Sequence, residues 1–321
     1  MRRGRFAPTP SGHMHLGNAK IALLSWLEMR AAGGIFMIRI EDIDIQRSRP
    51  EITECILEDL RWLGLDWDEG PGADDDSGPY WQSQRLDYYK EALSRLQDTG
   101  RLYPCYCSRA ELLAVAGAPH GLSSEGAPYP GTCRGLSPAE QTERAARKTP
   151  SLRFAMGTEP VRFHDGIAGP QTFPPGSGGD FVVRRADGLY SYQLAVTVDD
   201  ALMGITDVLR GGDLLDSTPR QLELYAALGF KPPAFTHAPL LLGEDGRRLA
   251  KRHGDLGITS LRAAGSKPEA VIGWLAYISG LIDRFEPLTA QELIPCFSLD
   301  RVSKQNFILH PEILNQLISL Q

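Results

Sequence analysis

Along the chain, a short apolar segment, Arg5-Phe6-Ala7, breaks at Pro8, Pro10 and Gly12 and gives way to an amphipathic run. From His15 onward Leu16, Leu23, Leu24 and Leu27 recur at helical spacing, which predicts strand, tight turn and helix in that order. That layout presents backbone N–H groups to an anion at the helix start. Gly12 and Gly17 lack a Cβ, so a nucleotide can approach the backbone there. Gly34–Ile40 predicts a buried parallel strand ending in Glu41-Asp42-Ile43-Asp44. Two amphipathic helices follow. The first runs from about Pro50 to Leu63 with Ile52, Ile56, Leu60 and Leu63 on its core face; the second runs from about Ser83 to Gly100 with Leu86, Tyr89, Leu93 and Leu96 inward. Between them Gly70–Gly78 is an acidic, glycine-rich surface loop.

The texture changes at Tyr103. As far as Gly179 the chain is rich in Gly, Pro and Ser and only weakly periodic, the composition of an insertion between two halves of a nucleotide-binding domain. Parallel-sheet texture returns at Asp180–Arg184, and Tyr190–Val198 and Ile205–Leu209 are further apolar runs. Thr218–Leu228 is a helix, and Phe235–Leu242 is one more strand leading into the basic stretch Arg247–His253. The remainder, from Gly257, is helical, with Ala270–Ile282 strongly apolar. The expected division is a first half-domain at 1–102, an insertion at 103–179, a second half-domain at 180–256 and a short helical C-terminal appendix at 257–321.

Composition narrows the class. At 321 residues and 42% hydrophobic, the chain reads as an ordinary soluble globular protein. No apolar run of about 18 residues is present to span a membrane, and the organising motif begins at Arg5, leaving no room for a targeting peptide. Five cysteines, with Cys105 and Cys107 too close for an easy disulfide, suggest a reducing, cytoplasmic compartment. The net charge of −6 argues against general nucleic-acid affinity but is compatible with a local basic stripe. Arg134, Arg144, Arg147 and Lys148 in the insertion, with Arg247, Arg248 and Arg252 around the basic loop, are the candidates.

Three constellations carry chemistry. His13 and His15 sit at the turn and the helix start, where both can donate to phosphate oxygens. Glu41 at a strand end can pair with a substrate ammonium, because ligands of open α/β sheets sit at the carboxyl ends of strands. Cys105-x-Cys107-x21-Tyr129-x3-Cys133 can hold a tetrahedral Zn²⁺, and on spacing alone it is equally compatible with three reduced buried thiols.

His13-Met14-His15-Leu16-Gly17 resembles the HIGH signature of class I aminoacyl-tRNA synthetases, and the run Arg5-Phe6-Ala7-Pro8-Thr9-Pro10-Ser11-Gly12 resembles the glutamate-specific branch. Arg248-Leu249-Ala250-Lys251-Arg252 resembles the KMSKS loop, with Arg248 for its first Lys and Ala250 for its Ser, while Lys251 is kept. With the Cys/Tyr pattern and the short stretch after this loop, the chain resembles the glutamyl-queuosine tRNA(Asp) synthetases, which lack the anticodon-binding domain.

The resemblance implies an α/β fold, a Rossmann-type catalytic domain split by a small zinc-containing insertion. It implies tRNA-independent, ATP-dependent activation of L-glutamate, then transfer of glutamate to queuosine in the anticodon loop of tRNA(Asp), by a monomer. His13, His15 and Lys251 would be catalytic, and with Gly17 and Asn18 would bind ATP and its Mg²⁺. Arg5, Phe6, Ala7, Pro8, Thr9, Glu41, Tyr192 and Arg210 would bind glutamate. Cys105, Cys107, Tyr129 and Cys133 would hold one structural Zn²⁺. Two arginines and one glutamate match the two carboxylates and one ammonium of a dicarboxylic amino acid, and a neutral amide would leave an arginine unpaired. Two other readings stay open: a truncated glutamyl-tRNA synthetase charging the 3′ end of tRNA(Glu), and a catalytically idle tRNA-binding paralogue.

Overall fold

Strands and helices alternate through much of the chain, the rhythm that builds a parallel sheet covered by helices. The computed structural model describes residues 1–73, 77–108, 110–112, 129–246, 257–310, 313 and 317. In order the elements are β1 (Arg3–Phe6), α1 (Leu16–Ala31), β2 (Ile35–Ile38), α2 (Pro50–Trp62), α3 (Leu86–Asp98), β3 (Leu102–Cys105), α4 (Pro138–Ala145), β4 (Ser151–Phe154), β5 (Val161–Asp165) and β6 (Gly169–Phe173). There follow β7 (Phe181–Arg184), α5 (Tyr192–Leu202), β8 (Asp207–Gly211), α6 (Thr218–Leu228), β9 (Ala234–Ala238), β10 (Leu241–Leu242), α7 (Ile258–Ala263), α8 (Pro268–Ile278), α9 (Ala290–Leu293) and β11 (Phe307–Ile308).

The principal sheet has the order β2-β1-β8-β9-β5-β6. It is parallel except at its edge, where β6 runs antiparallel to β5. α1 is apolar nearly all round, with Leu16, Leu23, Leu24 and Leu27 fully buried, as expected of a helix covered on several sides. α2 buries Ile52, Ile56, Leu60 and neighbouring Leu63, and α3 buries Tyr89, Leu93 and Leu96. Leu86, expected inward, is instead exposed: it is the first residue of α3, where the helix has only begun to pack.

The strand pairing corrects one expectation and fills in two others. Phe181–Arg184 is not a strand of the parallel sheet; it pairs antiparallel with β4, which pairs antiparallel with β3. The apolar run Tyr190–Val198 is largely helix: Ser191 caps α5 by accepting from the Leu194 N–H, and the helix is buried from Gln193 to Asp200. The insertion drawn at 103–179 also does not follow the sheet. Its last hairpin, β5 and β6, extends the principal sheet beside β9, held by stacking of Phe163 on Phe173 at 6.0 Å and an edge contact of Phe163 with Phe235 at 6.2 Å. Phe154 of the same segment is fully buried among Leu96, Phe181 and Leu224. The segment after Gly257, expected as a short helical appendix, packs into the main apolar cluster, with Val271, Trp274 and Leu275 joining Leu16, Leu23 and Trp26.

Candidate active site

The turn after β1 and the start of α1 open onto a cleft of about 590 Å³. Residues Arg5, Phe6, Ala7, Pro8, Thr9, His13, His15, Gly17, Asn18, Glu41, Tyr192 and Arg210 all line it. They come from four separated stretches, joined because β1, β2 and β8 are neighbours in the sheet and their carboxyl ends face one way. Lys251 lies outside the described residues, as do Arg247, Arg248, Ala250 and Arg252.

His15 is the N-cap of α1. Its Nδ1 accepts the Asn18 backbone N–H at 3.2 Å, and Asn18 Oδ1 accepts the His15 N–H at 3.5 Å. This reciprocal cap satisfies two orphan donors of the helix. It also fixes the tautomer: with Nδ1 as the acceptor, the ring proton is on Nε2. Gly17 has a further role besides backbone approach, since a Cβ there would lie 3.0 Å from Cε1 and Nδ1 of His15. His13 is exposed at the turn. Behind the turn the buried Lys20 donates to the Pro239 carbonyl at 2.9 Å, and burial lowers its pKa to about 8.

The floor beneath Arg5 and Glu41 is a buried charge network. Asp200 accepts from Arg5 Nε and Nη2 at 3.1 and 3.3 Å and from Arg39 Nη1 at 2.7 Å. Burial opposes ionisation of Asp200, but Arg5 and Arg39 outweigh it and hold the carboxyl below its usual range. Asp199 accepts from Arg85 Nε at 2.6 Å, Gln82 Nε2 at 2.9 Å and Tyr89 Oη at 2.9 Å. Glu41 sits 3.4 Å from Arg39 Nη2; burial pushes its pKa up to about 6, against the pull of Arg39 and Arg5.

Arg210 is bound differently. It is 4% exposed, and its donors reach His237 Nε2 at 2.9 Å, Gln221 Oε1 at 2.8 Å, Thr218 Oγ1 at 2.9 Å and the Leu214 carbonyl at 3.4 Å. All four acceptors are uncharged, and among the described residues Arg210 makes no ion pair. Its positive charge is thus not balanced by a carboxylate hydrogen-bonded to it among the described residues.

A second group lies at β3. Cys105 Sγ and Cys107 Sγ are 3.4 and 3.7 Å from Tyr129 Oη, and Cys107 Sγ is 3.7 Å from Cys133 Sγ. The three thiols are unpaired by disulfides. A tetrahedron with metal–sulfur bonds of about 2.3 Å and metal–oxygen bonds of about 2.0 Å has edges of about 3.8 and 3.5 Å; these three separations match such edges, and the three sulfurs all lie within 4.8 Å of one another. Arg153 stacks over the Tyr129 ring at 3.8 Å and brings positive charge beside donors that become anionic when metal binds. Tyr129 also borders a smaller cavity of about 350 Å³, which shares Tyr192 with the main cleft.

The proposed basic stripe is partly occupied. Arg134 reaches Asp180 at 3.4 Å, Lys148 donates to the Tyr106 carbonyl at 2.7 Å, and Arg147 pairs with Glu143 at 2.7 Å. Arg144 is exposed on α4, a helix with no buried residue. Sequence reasoning missed Asp165, Asp199, Asp200 and His237. The signal for the two aspartates was present: adjacent carboxylates closing the apolar run Leu194–Val198 must be buried and hence paired.

A parallel sheet with a capped helix start and an anion-receptive cleft at its carboxyl ends defines a nucleotide-dependent class of protein. Residues 2–316 match the family described as tRNA synthetases class I (E and Q), catalytic domain, and the chain belongs to that family. It is 65% identical over 303 residues to the glutamyl-Q tRNA(Asp) synthetase of Symbiobacterium thermophilum, covering 94% of both chains. It is 48% identical over 320 residues to the protein of the same name from Nitratidesulfovibrio vulgaris, covering 99% of this chain and 98% of that one. The crystal structure of a glutamate tRNA ligase from Elizabethkingia meningosepticum in complex with its amino acid superimposes with a TM-score of 0.83 at 29% identity, over 98% of this chain and 68% of that one.

Proposed function

We propose that this chain is an enzyme that activates L-glutamate with ATP, without tRNA, and transfers it to queuosine in tRNA(Asp). The single observation that carries the amino-acid choice is Arg210, a buried guanidinium at the cleft wall whose partners among the described residues are all neutral. Supporting the acceptor are the two relatives named glutamyl-Q tRNA(Asp) synthetase, matched over 94% and 98% of their lengths. A relative named glutamate–tRNA ligase 2, from Syntrophus aciditrophicus, is 43% identical and only 66% of its length is covered.

The glutamate α-carboxylate is itself the nucleophile, so activation needs alignment and charge neutralisation and no general base. Arg210 takes the side-chain carboxylate, and Glu41 takes the ammonium. Arg5, whose Nε and Nη2 are held by Asp200, presents the rest of its guanidinium to the cleft. A carboxylate oxygen attacks the α-phosphorus, the bond to the bridging oxygen breaks, and pyrophosphate leaves. Donors at His13, His15 and Lys251 stabilise the developing charge, and Mg²⁺ enters with ATP. In the second step a hydroxyl of the queuosine cyclopentene ring attacks the acyl carbon; the acyl–phosphate bond breaks, and the proton leaves with AMP.

Cys105, Cys107, Tyr129 and Cys133 would hold one Zn²⁺ that ties β3 to the loop before α4. Protein purified without added metal is expected to contain about one zinc per chain by elemental analysis; a value near zero would remove the metal from the proposal. The exposed Arg144 and Arg147 on and after α4 would contact tRNA phosphates. The function itself is tested by incubating ATP and radiolabelled glutamate with tRNA(Asp) bearing queuosine, tRNA(Asp) lacking it, and tRNA(Glu). Label on the first alone supports the proposal; label on queuosine-free tRNA(Glu) replaces it with 3′-end charging, and absence of glutamate-dependent pyrophosphate exchange replaces it with an idle paralogue.

A further inference from the structure

Arg210 does not stand alone in its wall. It lies in register with His237 across β8 and β9, and Asp165 ends β5, the next strand of the sheet. The three side chains therefore form a row across the carboxyl ends of three adjacent strands, and all are buried, at 4%, 3% and 0% exposure. A guanidinium has donors only. Because Arg210 Nε donates to His237 Nε2 at 2.9 Å, Nε2 must carry a lone pair. The ring proton is then on Nδ1, where Asp165 Oδ2 receives it at 2.6 Å. Thr218 Oγ1, 3.3 Å from Nε2, is compatible with the same assignment: its oxygen accepts from Arg210 Nη2, and its hydrogen donates to the Leu214 carbonyl at 3.5 Å, so no donor on Nε2 is required.

Asp165 is itself fixed. Its Oδ1 accepts the backbone N–H groups of Ala168, Ile167 and His237 at 2.8, 3.0 and 3.2 Å. Only Oδ2 is left for the ring, so the carboxylate cannot rotate without breaking all of these bonds. The order is thus complete from backbone to carboxylate, imidazole and guanidinium.

We propose that Asp165 and His237 are positioning residues: they lock one imidazole tautomer, and that tautomer orients the Arg210 guanidinium so that its one remaining N–H, on Nη1, reads the substrate's side-chain carboxylate in preference to an amide. The proposal rests on the reading of Arg210 as the glutamate side-chain receptor. It makes discrimination between glutamate and glutamine depend on a proton two residues away from the ligand. Burial and the neighbouring Arg210 keep the ring neutral, which is the state the geometry needs.

Asp165→Asn is the sharp test. The three backbone donors demand the amide oxygen at the Oδ1 position, so the amide NH₂ must face the ring. Nδ1 then has to accept, the proton moves to Nε2, and an N–H confronts the Nε–H of Arg210. The expected result is a rise in KM for glutamate of roughly 10- to 100-fold, from loss of a charge-assisted contact, with KM for ATP unchanged and the glutamate-over-glutamine preference in kcat/KM reduced. His237→Gln, whose side-chain oxygen can reach the Nε2 position, should restore selectivity that His237→Leu loses. Long-range ¹⁵N–¹H correlation of the histidine rings reads the tautomer in the unmodified enzyme, independently of how the variants fold. An Nε2-protonated or doubly protonated His237 at neutral pH overturns the proposal, as does an Asp165→Asn enzyme with unchanged glutamate KM and selectivity. Arg210→Ala separates the two levels: if it activates glutamate normally, the receptor reading fails, whereas if it is inactive while Asp165→Asn is normal, only the relay fails.

Discussion

Beneath β1 and β2, Arg5, Arg39 and Arg85 face Asp199, Asp200 and Glu41, and every one of these six groups is buried. At the ends of β8 and β9, Arg210 is equally buried, but among the described residues its hydrogen-bond partners are His237, Thr218, Gln221 and a backbone carbonyl, all uncharged, and its guanidinium lies over the Phe235 ring. The contrast separates two uses of buried charge. Where cations are balanced by carboxylates of the same chain, the network fixes the positions of strands and helices. Where a cation is held by neutral dipoles, its charge remains available to a ligand, and the fold bears the desolvation cost that an incoming anion relieves. Arg5 sits at the boundary, anchored on two nitrogens by Asp200 and open to the cleft with the rest.

The comparison is broken most severely at Asp200. Asp200→Ala leaves Arg5 and Arg39 buried without their shared carboxylate and should destabilise the protein by about 3–5 kcal/mol. Urea denaturation measures this; a loss under about 1 kcal/mol would mean that the network is not structural. Arg210→Ala breaks no ion pair, so its denaturation midpoint should move far less. Its glutamate-dependent ATP–pyrophosphate exchange should fall by roughly 30- to 1000-fold, or about 2–4 kcal/mol, while ATP still binds. Near-normal exchange kinetics would exclude Arg210 from the substrate pocket.

Glu41 sharpens the boundary between the two regions through pH. Burial raises its pKa to about 6, so the free enzyme takes up a proton below that pH and loses the anion meant for the substrate ammonium. kcat/KM for glutamate, which reports ionisations of the free enzyme, should therefore be flat above pH 6. Below it the value should fall about tenfold per pH unit. Asp200, held ionised by its arginines, contributes nothing in that range. Glu41→Gln should be slow but should lack this limb; a mutant that keeps the same acid limb would assign the ionisation to another group.

Much of the cleft was legible from residue order. The strand–turn–helix around His13 and His15, the core face of α1, Glu41 at a strand end and Arg210 at another are local patterns, set by helical or strand period and by turn residues. The cysteine and tyrosine pattern was legible as a candidate cluster from residue types and spacing, and Cys105, Cys107, Tyr129 and Cys133 do lie close in space. Adjacency between distant strands was not legible. Periodicity reports how one segment meets its own core, and it is silent about which strand lies beside it. Hence Phe181–Arg184 carried the right apolar texture for a parallel strand and was paired elsewhere, and the β5–β6 hairpin looked like insertion while extending the principal sheet. Asp165, His237 and Arg210 lie in three segments spread over more than 70 residues, and only sheet order and register bring them into one row. The residue types available to the cleft were determined by the sequence, whereas the tautomer of His237 and the orientation of Arg210 were decided by tertiary structure, because a proton's position on an imidazole depends on the partners at both nitrogens.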